Sequence, residues 1–265
     1  MSLDDFITEK GEYDGPFEII QCKKALYPSN LPEMDYALNP YKGCSHGCIY
    51  CYAPEVTRQP WKGWRIPKVK TNIAERLYSE LKGLHGIIGI GTVTDPYQYA
   101  ERRFMVTRHC LEVISRTEMG IHMHTKSDLI LRDTDLISKI DHKIGITITG
   151  IQDNHSKITE PGAPLPSVRL HTLKTLVSEG INCYALIGPV LSTVEGCEQD
   201  LIDSVIDTGV KAAQIDRLNI RPELGSRIER MGIAGSENSV RKIIDGLSDA
   251  GLKVSLVFED SRFPR

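Results

Sequence analysis

The chain has 265 residues, a length that admits one large α/β domain or two small ones. Its 40% hydrophobic and 25% charged composition is that of a globular protein, and a net charge of -3 speaks against a surface that generally coats nucleic acid. The longest apolar runs, "HGIIGIGTV" and "CYALIGPVL", are too short to span a bilayer, and the opening "MSLDDFITEK" lacks the basic and then apolar regions of a secretory signal, so a cytoplasmic protein with no membrane partner is expected.

Residues 1–35 read as an N-terminal extension and 36–265 as a single domain, since no linker or composition shift interrupts them. Along that domain, short β-like runs alternate with amphipathic helical runs. The expected strands are "DYALNPY" (35–41), "GIIGIGTV" (86–93), "IHMHT" (121–125), "IGITIT" (144–149), "CYALIGPVL" (183–191) and "AAQIDRLNI" (212–220). A late run, "KVSLVFED" (253–260), reads as a seventh strand or an edge addition. Several are nearly continuous apolar runs, which fits parallel strands covered on both faces.

Among the helical runs, "RRFMVTRHCLEVI" places Cys110 in the core. "PSVRLHTLKTLVSEG" sets Leu170, Leu173, Leu176 and Val177 on one stripe and stops at Gly180. "EQDLIDSVIDTG" turns Leu201, Ile202, Val205 and Ile206 inward, with Ser192 and Glu195 ahead of it spaced as a capping box. "SENSVRKIIDGLSDAG" opens at Ser236 and closes at Gly251. The repeated strand–helix order implies an α/β fold with a parallel sheet and right-handed crossovers, either open or barrel-like. Polar loops come after strand upon strand, as a site at the carboxyl ends of the strands requires.

Seven cysteines are unevenly used: Cys44, Cys48 and Cys51 crowd into "NPYKGCSHGCIYCYAP", while Cys22, Cys110, Cys183 and Cys197 stand alone. This is not the paired spacing of a disulfide framework, and a clustered set in a cytosolic chain points to a metal centre. Three cysteinates on a cluster of four irons and four sulfides leave one iron free for a substrate or cofactor. Gly43 and Gly47 let the backbone wind tightly around such a centre, Lys42 adds positive charge, and His46 is placed to donate a hydrogen bond. The rival is a zinc ion with His46 as fourth ligand, although structural zinc usually joins two separated ligand pairs.

The spacing C-x3-C-x2-C, with Tyr50 before the last cysteine, resembles the radical S-adenosylmethionine (radical SAM) enzymes. "TVTDPYQ", "TKSDLILRDTDLI" and "EPGAPLPSVRL" extend the likeness toward the subgroup around spore photoproduct lyase. The resemblance implies a partial (β/α)6 barrel, a [4Fe-4S] cluster on Cys44, Cys48 and Cys51, and S-adenosylmethionine chelating the open iron. One-electron reduction would then release a 5′-deoxyadenosyl radical that abstracts hydrogen from a substrate. Position by position, it implies Thr94 and Asp95 near the methionine ammonium and Lys126 against its carboxylate. Arg169 is matched to that same carboxylate, Thr147 to the ribose or methionine, and Gly188 and Val190 to the adenine.

Each position has a plainer reading: an Asp-Pro turn for Asp95, a solvated lysine for Lys126, a strand residue for Thr147 and a surface arginine for Arg169. Thr92 stands where spore photoproduct lyase carries a hydrogen-donating cysteine, which argues against repair of thymine photoproducts. Tyr97 and Tyr99 come after the second strand and either line the substrate side or pack there. The segment "TRQPWKGWRIPKVKTN" interleaves Arg58, Lys62, Arg65, Lys68 and Lys70 with both tryptophans. It reads first as a loop packing Trp61 and Trp64 at the barrel mouth, with a nucleic-acid groove as the alternative. The same basic surface suits an acidic electron donor such as flavodoxin or ferredoxin.

Overall fold

A computed structural model describes residues 15–257. Its strands, in chain order, are β1 (Glu18–Ile20), β2 (Leu26–Pro28), β3 (Tyr36–Leu38), β4 (Tyr41–Lys42), β5 (Lys68–Lys70), β6 (Ile87–Ile90), β7 (Gly120–Thr125), β8 (His142–Ile148), β9 (Cys183–Ile187), β10 (Ala212–Ile215) and β11 (Lys253–Leu256). The larger sheet has the order β11-β10-β9-β8-β7-β6-β3-β2. Every neighbouring pair in it is parallel except β2 with β3. The chain is therefore α/β, with the six expected strand–helix units in sequence. "KVSL" joins as a seventh parallel strand beside β10; the rest of "KVSLVFED" past residue 257 lies outside the described residues. Among the described residues β2 and β11 do not pair with each other, as in a partial barrel.

A second sheet, β1-β5-β4, was not expected, because two- and three-residue strands carry no readable periodicity. Its β4–β5 pair is antiparallel and clamps the base of the excursion 43–67, which contains the cysteine loop. "DYALNPY" is accordingly divided between two sheets: Pro40, with no N–H, cannot carry β3 onward. β9 stops at Ile187 for a similar reason, two residues before Pro189. β6 and β10 are also shorter than their apolar runs, and each gives way to a loop at the rim of the sheet.

The strands are not apolar on both faces as expected. On β8, Ile144, Ile146 and Ile148 enter the core, while Lys143, Gly145 and Thr147 alternate to the other face. β7 does the same, burying Ile121 and Met123 in the core and turning His122 and His124 the other way. One face of the sheet is thus packed under helices, and the other forms the wall of a cavity. Helix Pro166–Ser178 ends just before Gly180, whose φ of 74° is the left-handed stop the sequence indicated. Ser236 caps helix Glu237–Asp249 by accepting from the Ser239 amide. The capping-box reading of Ser192 and Glu195 is corrected. The next helix begins at Glu198, whose own carboxylate accepts from the Gly196 amide at 2.8 Å, and Ser192 instead accepts from the Ala234 amide.

Candidate active site

A cavity of about 480 Å³ opens on the carboxyl side of the sheet, within the size range of small-molecule sites. Cys44, Cys48 and Cys51 all line it, as do Tyr50, Thr94, Asp95, Lys126, Thr147 and Gly188. The cysteine loop is held from several sides. Cys44 donates its amide to the Trp64 carbonyl at 2.9 Å, and Ile49 donates to Thr159 at 2.9 Å. Gly43 has φ 89°, and a Cβ there would come within 2.5 Å of the Trp64 carbonyl oxygen. Gly162 is needed for a different reason: its amide bonds the His46 carbonyl, and a Cβ would overlap the Ser45 carbonyl oxygen.

Gln98, the last residue of "TVTDPYQ" but given no role from the sequence, braces the loop. Its Oε1 accepts from the Ser45 amide at 2.8 Å, and its Nε2 donates to the Gly43 carbonyl at 3.1 Å. Arg227, from helix Pro222–Glu229, donates Nε to the Ile49 carbonyl and Nη2 to the Cys51 carbonyl. Its guanidinium lies 3.7 Å from the Trp61 ring centroid. Trp64 is 2% exposed, so both tryptophans of this segment pack, while its Arg58 and Lys62 are exposed.

Burial pushes all three thiols up, Cys48 to about 12, so loading a metal on them must release protons. Among the described residues no three His, Cys, Asp or Glu side chains converge closely enough to hold a single ion. His46 turns its Nδ1 toward Asp95 Oδ2, 3.5 Å away, rather than toward the thiols. Three thiols lining one cavity are a donor set that an iron–sulfur cluster takes, and His46 Nδ1, turned to Asp95, is drawn away from a Cys3His set.

Beneath the cavity floor lies an ion group that the sequence did not reveal. Glu160 and Arg169 are 1% and 0% exposed and meet at 2.6 Å. Glu160 also accepts from Tyr50 Oη, from Thr149 Oγ1 at 2.8 Å and from Ser156 Oγ at 3.1 Å. Burial alone would raise its carboxyl pKa, but Arg169 and then Lys126 hold it down at about 2. Lys126 sits 3.8 Å from Glu160 and over the Tyr50 ring. Burial works against its charge; Cys48 and Glu160 outweigh that and raise its pKa.

The structure brings most of the expected contact residues together, with two exceptions. Arg169 is neither free for a ligand nor on the surface: it is locked under the floor, donating Nε to the Pro164 carbonyl at 2.6 Å. Val190 is 1% exposed within the core, behind the wall to which Gly188 belongs. Thr94 faces the cavity but gives its hydroxyl to the Gly43 carbonyl at 2.5 Å. Asp95 accepts from Tyr97 N, Thr125 Oγ1 and Lys126 N at 2.8–2.9 Å, so it closes the loop as well as facing the cavity. Tyr97 is buried away from the cavity. Asp216, His122, His124 and Gln214 line the cavity without having been expected. Burial lifts the Asp216 carboxyl to about 6. The readable signal for the histidines was the strict alternation in "IHMHTK".

Fold and site together define an enzyme class. Residues 38–195, more than half of the chain, match the family model of the Radical SAM superfamily, and the chain belongs to that superfamily. An uncharacterized protein of Methanocaldococcus jannaschii is 36% identical over 190 residues, covering 69% of this chain and 68% of its own. An uncharacterized protein of Mycobacterium tuberculosis is 29% identical over 231 residues, covering 79% and 67%. Among solved structures, spore photoproduct lyase complexed with a dinucleoside spore photoproduct matches with a TM-score of 0.66 at 13% identity, over 90% of this chain and 82% of the other. SuiB of Streptococcus suis bound to S-adenosylmethionine matches with a TM-score of 0.54 at 11% identity, over 96% of this chain and 52% of the other. At such identities the likeness is one of fold. No helix among the described residues is long and apolar enough to cross a membrane.

Proposed function

We propose that Cys44, Cys48 and Cys51 hold a [4Fe-4S] cluster and that S-adenosylmethionine occupies the adjoining cavity. When bound, the cluster supplies the electron that cleaves S-adenosylmethionine to methionine and a 5′-deoxyadenosyl radical, which takes hydrogen from a substrate in the same cavity. The observation that carries this reading is that all three thiols open on one wall of a cavity whose other walls bear Lys126, Thr147, Gly188 and Asp216.

Within this reading, the chain's own residues bind and orient. Lys126 offers the methionine carboxylate a buried positive charge, held in place by Glu160. Asp95 fixes the Lys126 backbone and leaves the methionine ammonium facing a negative wall. Arg169 acts at one remove: it pins Glu160, which in turn sets Lys126 and Tyr50. Exposed Arg58 and Lys62, beside the cysteine loop, suit an acidic flavodoxin or ferredoxin as electron donor.

The test is anaerobic reconstitution with iron and sulfide, then addition of dithionite and S-adenosylmethionine. The reading expects 5′-deoxyadenosine from the wild type and none from Cys48→Ala. A wild-type protein with an intact cluster that releases no 5′-deoxyadenosine would overturn it.

A further inference from the structure

Deep in the cavity, away from the cysteine loop, two histidines share one tyrosine. The Tyr184 hydroxyl lies 2.7 Å from His122 Nε2 and is also hydrogen-bonded to His124 Nε2. The imidazoles cross edge to face, 4.9 Å apart at an angle of 84°. Space for this arrangement comes from Gly145 on the neighbouring strand, where a Cβ would come within 2.7 Å of the His124 ring and 2.8 Å of the Tyr184 ring. Both histidines line the cavity; Tyr184, 2% exposed, sits behind them. His122 Nδ1 is buried with no hydrogen-bond partner, and the nearest carboxylate, Glu33 Oε2, is 3.7 Å away. Glu33 is half exposed and paired with Lys143 at 2.5 Å.

The proton count in this group is constrained. Burial first, then Lys143, holds His122 down to about 4; burial first, then His122, holds His124 to about 3. Both rings are therefore neutral at pH 7, each with one N–H. A single hydroxyl proton cannot serve two bare nitrogens, so at least one Nε2 donates to the tyrosine oxygen, and where the other is bare it accepts the tyrosine proton. The chain of hydrogen bonds has a direction, and that direction can reverse.

We propose that His122, Tyr184 and His124 form a proton relay between the solvent side of the cavity wall, at Glu33 and Lys143, and the substrate bound in the cavity. The inference rests on the reading that this cavity holds the substrate. In the forward sense a proton arrives at His122 Nδ1, the His122 Nε2 proton passes to the Tyr184 oxygen, and the Tyr184 proton passes to His124 Nε2. The His124 Nδ1 proton then leaves for the substrate. One proton enters, one departs, and all three side chains stay neutral. His124 is the group that meets the substrate, and Tyr184 is a positioning residue that acts through it. The chemistry served is proton exchange with a nitrogen or oxygen of the substrate, separate from any hydrogen-atom step.

The test needs neither substrate nor cluster: ring-¹⁵N NMR of the full-length protein labelled at histidine. The relay predicts that His122 and His124 stay neutral down to pH 5 and exchange tautomers at one common rate. That rate slows in D2O and is lost in Tyr184→Phe, while the backbone amide spectrum stays native. Static tautomers in the wild type, two rings both carrying Nε2–H, unequal rates, or exchange that persists in Tyr184→Phe would each overturn it. Should Tyr184→Phe not fold, Glu33→Gln is the second variant: slower exchange at both rings together supports the relay, and an unchanged rate contradicts it. Failure here leaves 5′-deoxyadenosine formation untouched, so the two readings fail separately.

Discussion

Glu160 and Arg169 show how much of this site depends on a pair that never reaches the cavity. Each is charged, each is buried, and either alone would be a large penalty in a low-dielectric interior. Glu160→Gln leaves the Arg169 guanidinium without its counter-ion and is expected to cost roughly 3–5 kcal/mol in urea unfolding at pH 7. The sign of the pH dependence comes from the depressed carboxyl pKa. Held at about 2 in the folded protein against an ordinary 4.5, Glu160 contributes stability that is fully present above pH 4.5 and is lost as the pH falls toward 2. The full shift corresponds to about 3 kcal/mol. His122 and His124, also depressed, add a separate loss as the pH falls from the ordinary histidine value of 6.5 toward 4 and 3. Denaturant midpoints should therefore decline in two windows for the wild type, and Glu160→Gln should show a shallower lower one, with Glu198, also held at about 2, keeping part of it. A variant whose acidic decline is as steep as that of the wild type would place the linkage on Glu198 and other carboxylates alone.

At the scale of elements, the cysteine loop is an excursion made rigid from outside. The β4–β5 ladder closes its base, Gly162 lets the segment after Glu160 press on its back, and Arg227 holds two of its carbonyls from a helix far along the chain. Gly162→Ala should push the Ser45 carbonyl aside, costing on the order of 1–3 kcal/mol as overpacking does. It should also lower the iron bound on reconstitution while leaving far-UV circular dichroism native. Arg227→Ala removes hydrogen bonds to two carbonyls; about 1–3 kcal/mol of loop stability goes with them, read as faster loss of iron to a chelator. Equal chelation rates in Arg227→Ala and wild type would mean that the helix contributes packing only. These braces were hard to read in the sequence because each joins residues far apart. Arg227 meets residues 49 and 51, and Gln98 meets residues 43 and 45. Local periodicity says nothing about such pairs. What was legible is what is local: the three cysteines and their glycines, the Gly180 stop, and the Ser236 cap. Arg169 was misread by the same limit, since an arginine on a helix looks like surface until its buried partner is known.

For the whole molecule, the sheet divides its two faces between stability and chemistry. Alternation on β7 and β8 sends isoleucine and methionine to the core and histidine, lysine, glycine and threonine to the cavity side. The apolar half of that pattern was visible in the sequence and marked the strands correctly. The polar half was given no role, which is why His122 and His124 were missed; Asp216, just past β10, was missed because only its burial in the cavity wall marks it. The α/β sheet places Lys126 beside the cysteine loop, over the Tyr50 ring, with Thr147 and the histidine pair on the strands of the same cavity. A cofactor and a substrate can thus share one compartment.

The central claim is that three thiols hold a cluster with one coordination position left open to S-adenosylmethionine. Electron paramagnetic resonance of the dithionite-reduced, reconstituted protein, recorded with and without S-adenosylmethionine, tests it most directly. The account predicts the signal of a reduced four-iron cluster whose g-values shift when S-adenosylmethionine is added. A cluster signal identical in both samples, or a protein that takes up one zinc ion and no iron, would contradict it.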